Sequence, residues 1–137
     1  MIHFEDVVVR YPRASADALK GVSLSATSGS LTAVVGPNGS GKSTLVRALI
    51  GRVALSRGVV RVDDRDASTV DRAELARDVA VVTQREELAF PVTVNDYVQL
   101  GRFPHLGIWR AAGVEDRRAI DESLRNRAYA AAHATGY

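Results

Sequence analysis

Residues 36 to 43 read Gly36-Pro37-Asn38-Gly39-Ser40-Gly41-Lys42-Ser43, and no other stretch of the chain limits the fold so tightly. Before them, Leu31 to Val35 form an apolar run of the kind that makes a strand buried on both faces. After them, Leu45, Val46, Leu49 and Ile50 recur at helical spacing, and Gly51 stands where a helix C′ residue would. Glycines between such a strand and such a helix let successive backbone N–H groups turn inward and approach an anion closely. The helix that follows points the positive end of its dipole at the same place. The pattern G-x-x-x-x-G-K-[ST] in this context predicts a phosphate-binding loop inside an α/β domain.

The loop assigns its own chemistry. Gly36, Gly39 and Gly41 supply the close backbone approach, Lys42 is expected at the β- and γ-phosphates, and the Ser43 hydroxyl at Mg²⁺. Lys42 is one of only two lysines in the chain, so a chance match at this position is improbable. The predicted ligand is a nucleoside triphosphate with Mg²⁺; the motif alone does not say what is done with it. A GTPase would carry a guanine-reading N-K-x-D, which this sequence lacks.

Around the loop, Ile2 to Arg10 reads as a strand ended by Tyr11-Pro12, and Gly21 to Ala26 as a second strand with period-two alternation. Gly58 to Val62 is a further strand, followed by an acidic turn at Asp63, Asp64 and Asp66. Asp71 and Glu74 are spaced as a helix start for a short helix through Arg77, and Val79 to Thr83 as another strand of the buried type. From Thr93 the chain reads as helical, with Thr93 and Asp96 as a cap pair and a break over Gly101 to Gly107, which contains Pro104. A last helix is predicted from near Val114, with Ile120, Leu124, Ala128 and Ala131 on one face.

Composition narrows the function classes. Hydrophobic residues are 46% of the 137, enough for one compact core, and no apolar run reaches the roughly 20 residues of a membrane helix. Met1 to Val9 lacks a basic-then-apolar leader pattern, so a cytoplasmic location is expected. There is no cysteine, and three isolated histidines, His105 among them, make no metal site. Net charge is +2, with arginines scattered and aromatics at 6%, so no nucleic-acid partner is expected.

The order Tyr11, Ala18 to Leu24, Gly36 to Thr44, then Val81-Val82-Thr83-Gln84 resembles an ABC transporter ATP-binding subunit over nearly the whole chain. The resemblance implies a P-loop NTPase core with an N-terminal antiparallel β subdomain and the start of a helical subdomain. It places the β subdomain and loop core at 1–84, and the Q-loop with an incomplete helical subdomain at 85–137. It further implies ATP as the nucleotide, with Tyr11 stacking on adenine and Gly36, Pro37, Asn38, Gly39, Ser40, Gly41, Lys42, Ser43 and Thr44 around the phosphates. Gln84 corresponds to the Q-loop glutamine, a ligand or water-positioning group for Mg²⁺ that joins Lys42 in catalysis. The run Phe90 to His105, and Gly101-Arg102-Phe103-Pro104-His105 above all, is similar to the ATPases of iron-chelate, haem and cobalamin importers. A membrane permease and a second ATPase subunit are the partners implied, at the inner face of the cell membrane.

The sequence departs from that family where its signature motif, Walker B strand with Asp and Glu, D-loop and switch His would stand. Without a Walker B acid, Mg²⁺ lacks a partner and the attacking water a base, so weak or no hydrolysis is expected of this chain alone. The expectations are therefore the N-terminal part of an importer ATPase, or a hydrolysis-deficient nucleotide-binding fragment, or a non-transport ATPase of the same superfamily. A truncated or frameshifted reading frame, or a partial gene model, is the simplest expectation for this departure.

Overall fold

In a computed structural model, residues 1–82, 91–106 and 112–134 are described, with side chains as far as residue 126. The chain divides into two compact units, Met1–Val79 and Ala80–Tyr137.

The first unit is built on a sheet of four antiparallel strands in the order β2-β1-β3-β4: β1 Ile2–Val9, β2 Leu19–Ala26, β3 Arg57–Val62 and β4 Arg65–Asp66. β1 lies between β2 and β3, and its register slips after Phe4 against β2 and after Glu5 against β3. The slip is centred on Asp6, at φ 48°. Its amide donates to Ser23 Oγ at 2.9 Å, and its carboxylate accepts from Arg57 Nη2 at 2.8 Å. Gly58, at φ 86°, lies so close to this bulge that a Cβ there would meet the carbonyl oxygens of Glu5 and Asp6 at 2.4 Å. Bulge and glycine therefore require one another. Between β3 and β4 the expected acidic turn forms, with Asp63 and Asp64 both at positive φ, as a two-residue hairpin turn demands.

One helix, α1 Lys42–Leu49, packs Leu45 and Ala48 onto Phe4, Val7, Val9, Leu19, Val60 and Val62 of the sheet. It stops as expected at Gly51: Gly51 N–H donates to the Ala48 carbonyl and Arg52 N–H to the Arg47 carbonyl, the paired bonds of a Schellman end. A second helix, α2 Arg72–Asp78, is capped by the Asp71 carboxylate on the Ala73 amide and buries Leu75. Glu74 does not close the box; it accepts from Arg65 Nη1 at 2.8 Å instead.

Two sequence expectations are corrected here. Leu31 to Val35 is not a buried strand: it joins no ladder, and Leu31 and Val35 are 98% and 88% exposed. Val79 rests partly on the core, but Ala80 to Val82 are exposed and outside any strand, and Thr83 lies outside the described residues. The reason is common to both. A strand buried on two faces is held by ladder partners on its edges, and among the described residues neither run has one.

In the second unit, α3 Val94–Leu100 begins with a complete capping box between Thr93 and Asp96. It packs against α5 Val114–Ala134, whose Ile120 is buried and whose Leu124 is half-buried. Ala128 and Ala131 fall where side chains are not described. The expected break after Leu100 contains one short helix, α4 Phe103–Leu106. Pro104 sits in its first turn, where a missing N–H costs nothing.

Candidate functional site

The loop 36–41 is exposed over residues 36 to 40 and dips at Gly41, the N-cap of α1, which has φ 92°. A Cβ on Gly41 would stand 2.6 Å from the Ala18 carbonyl oxygen and 2.9 Å from Leu19 Cδ2. Only glycine brings the helix start this close to the beginning of β2, so the loop rests on the sheet through that contact. Sequence reading anticipated glycine here for approach to phosphate. It missed that the same glycine also seats the loop on Ala18 and Leu19, since only the fold brings residues 18 and 41 together.

Lys42 curls back over the loop it follows. Its Nζ donates to the carbonyl oxygens of Gly36 and Pro37, both at 2.7 Å, with Ser40 Oγ at 3.5 Å. The ammonium is thus held at the centre of the turn by main-chain acceptors. Among the described residues no carboxylate pairs with it, which leaves its charge available to an anion. Ser43, in the first turn of α1, is exposed. Mg²⁺ takes few protein oxygens and keeps water and phosphate for the rest, so one exposed hydroxyl beside the glycine-rich turn fits such an ion. Among the described residues no group of three or more His, Asp or Glu side chains converges as a metal site of its own. Gln84 lies outside the described residues.

Tyr11 is brought to the same helix from the far end of β1. Its hydroxyl lies 3.3 Å from Thr44 Oγ1 and accepts from Arg47 Nη1 at 3.2 Å, while Thr44 is itself buried. The bonds to Thr44 and then Arg47 hold the Tyr11 hydroxyl below its ordinary pKa. The segment between Tyr11 and β2 is closed by Arg10 Nε on Asp17 Oδ1 at 2.6 Å and by the Ala18 amide on the Val9 carbonyl at 2.7 Å. A cleft of about 190 Å³ opens beside the loop, lined by Leu19, Leu24, Val34, Val35, Gly41 and Lys42. The structure thus brings Tyr11, Gly36 to Ser40, Gly41, Lys42, Ser43 and Thr44 to one end of α1. The arginine at 47 was not singled out in the sequence. Its position three residues after Thr44, on the same helical face, is the signal that points to it.

The sequence pattern of the ABC transporter family matches residues 19–135. The chain belongs to that family. Among its ABC relatives, the hemin import ATP-binding protein HmuV of Rhizobium meliloti (strain 1021) is 39% identical over 124 residues, covering 90% of this chain and 45% of the relative. The manganese transport system ATP-binding protein MntA of Synechocystis sp. is 38% identical over 125 residues, covering 90% and 46%. The chain thus spans about 45% of the length of these curated relatives. Among solved structures, a dimeric post-hydrolysis ATP-binding cassette bound to ADP and Pi aligns with TM-score 0.71 at 26% identity, covering 91% of this chain and 56% of that one. A nucleotide-free cassette from an ABC transporter aligns with TM-score 0.51 at 35% identity, covering 56% and 30%. This ABC-family chain accordingly has an α/β fold that corresponds to part of such a cassette, with an antiparallel sheet and helices. No described helix is long and apolar enough to cross a membrane.

Proposed function

We propose that the chain binds ATP and Mg²⁺ through residues 36–44, as the nucleotide-holding part of an importer ATPase. The observation that carries this is the closed loop itself: Lys42 Nζ centred on the Gly36 and Pro37 carbonyls, with Gly41 seating the turn at the start of α1. In this reading Lys42 neutralises the β- and γ-phosphates, Ser43 and Gln84 hold Mg²⁺, and the Tyr11 ring stacks on adenine. Stacking accepts any π-face, so it contributes affinity more than base selectivity. Residues 1–84 act as the β and loop core, and 85–137 as Q-loop and helical part. A membrane permease and a second ATPase subunit are the partners, at the cytoplasmic face of the membrane. The cargo class is an iron chelate, haem or cobalamin, for which the Gly101 to His105 run and the hemin-import relatives are the support. The manganese-transport relatives, nearly as similar, widen that class to transition-metal cargo generally.

Turnover is a separate matter. The sequence carries no Walker B strand with its acidic pair, and this favours nucleotide binding without hydrolysis by these 137 residues. The test is equilibrium binding of MgATP to the purified chain and to Lys42→Ala, with phosphate release followed in parallel. Lys42→Ala is expected to lose binding by at least tenfold, as removal of a charge-assisted contact implies, and the parent chain to release no phosphate. Lys42-dependent turnover would show that a carboxylate already present activates water, and equal binding by both proteins would remove the loop from the nucleotide site.

A further inference from the structure

Tyr11 is held at two ends. Its backbone is fixed by the fully buried Val9 two residues earlier and by the turn in which the Ala14 amide donates to the Tyr11 carbonyl at 3.0 Å. Its hydroxyl, at the other end, meets two groups on one face of α1: Thr44 Oγ1 at 3.3 Å and Arg47 Nη1 at 3.2 Å. Between these anchors the ring is only half-buried and presents open surface. An aromatic ring with a free hydroxyl would sweep over its side-chain rotamers, and holding it still before a ligand arrives removes part of the ordering cost of binding.

We propose that Arg47, with Thr44, is a positioning residue that fixes the Tyr11 ring as a base shelf beside the phosphate loop. This rests on the reading that Tyr11 stacks on adenine. Thr44 is one step from Ser43 and buried, so its hydroxyl reports where the first turn of α1 stands. Arg47 is exposed, and its guanidinium reaches the ring hydroxyl through this bond. The shelf is therefore registered to the same helix turn that carries Lys42 and Ser43. Base and phosphate subsites keep a fixed separation because both are referred to α1.

The experiment compares Mg²⁺-dependent binding of ATP with that of inorganic tripolyphosphate, which has the phosphates and no base. The proteins are the parent chain, Arg47→Met, Arg47→Lys, Tyr11→Phe, Tyr11→Ala and the Arg47→Met/Tyr11→Phe double variant. Arg47→Met and Tyr11→Phe are each expected to weaken ATP binding about three- to tenfold, the scale of one or two hydrogen bonds. Tripolyphosphate binding should stay within about twofold of the parent value. The double variant should be no weaker than either single one, because both remove the same tether, and Arg47→Lys should recover part of the loss. Parent-like ATP affinity in Arg47→Met and Tyr11→Phe, with Tyr11→Ala weakened, would overturn the tether and leave the base shelf standing. Parent-like affinity in Tyr11→Ala would overturn the shelf and the tether together. An equal loss for ATP and tripolyphosphate in Arg47→Met would mean that Arg47 acts on the phosphates, which also overturns the proposal.

Discussion

At the scale of single residues, the loop depends on how closely two pieces of main chain approach. Gly41 lies under the Ala18 carbonyl at a separation that leaves no space for a methyl group, and its φ of 92° is one that side chains resist. Gly41→Ala must therefore either strain the left-handed backbone or lift the helix start from β2. The expected cost is about 2 kcal/mol or more, from the backbone penalty of 1–2 kcal/mol plus the clash. It should appear as a lower urea midpoint and as weaker nucleotide binding in the same protein. Gly39, at φ 82° with nothing within 4 Å of a would-be Cβ, carries the backbone penalty alone. Gly39→Ala should accordingly lose less stability than Gly41→Ala in the same urea titration. The two glycines look alike in the sequence motif, and their surroundings separate them.

At the scale of elements, the start of α5 is held by Asp116. Its Oδ2 accepts from the Gly113 amide at 3.0 Å, and its Oδ1 lies 2.9 Å from Arg102 Nε in the turn before α4. The bond from Gly113, followed by that from Arg102, holds the Asp116 carboxyl below its usual range. A carboxyl with a lower pKa folded than unfolded binds fewer protons in the folded state between those two values. Its stabilisation is complete above the ordinary aspartate value near 4, and disappears as pH falls through the lowered one. Amide hydrogen exchange at Arg117 to Ile120 should therefore speed up, beyond its intrinsic pH trend, as pH falls below the ordinary aspartate value near 4. In Asp116→Asn that excess should vanish. Persistence of the excess in the variant would assign the acid sensitivity to another carboxyl.

At the scale of the molecule, two apolar runs stand open. Leu31 is 98% exposed and Val82 is 89% exposed, in segments that have strand composition and no ladder. Unpaired apolar backbone of this kind favours pairing between copies. Leu31→Lys and Val82→Lys should lower light scattering at rising protein concentration while leaving the unfolding free energy from urea titration within about 0.5 kcal/mol of the parent, as exposed positions allow. Unchanged scattering would place self-association on another surface.

Local chemistry carried much of the description without any tertiary information. Gly36 to Ser43, the stop at Gly51, the Thr93–Asp96 box, the Asp71 cap and the strands around Val7 and Val60 all follow from contacts within a few residues or from a period along the chain. Other features depend on residues far apart in sequence, which no local pattern records. Such are Tyr11 on Thr44 and Arg47, Gly41 against Ala18, and the Asp6 bulge against Gly58. The exposed state of Leu31 to Val35 belongs with them. Composition says that a segment suits a strand, but pairing needs a neighbouring edge, and only the tertiary structure decides whether one is there.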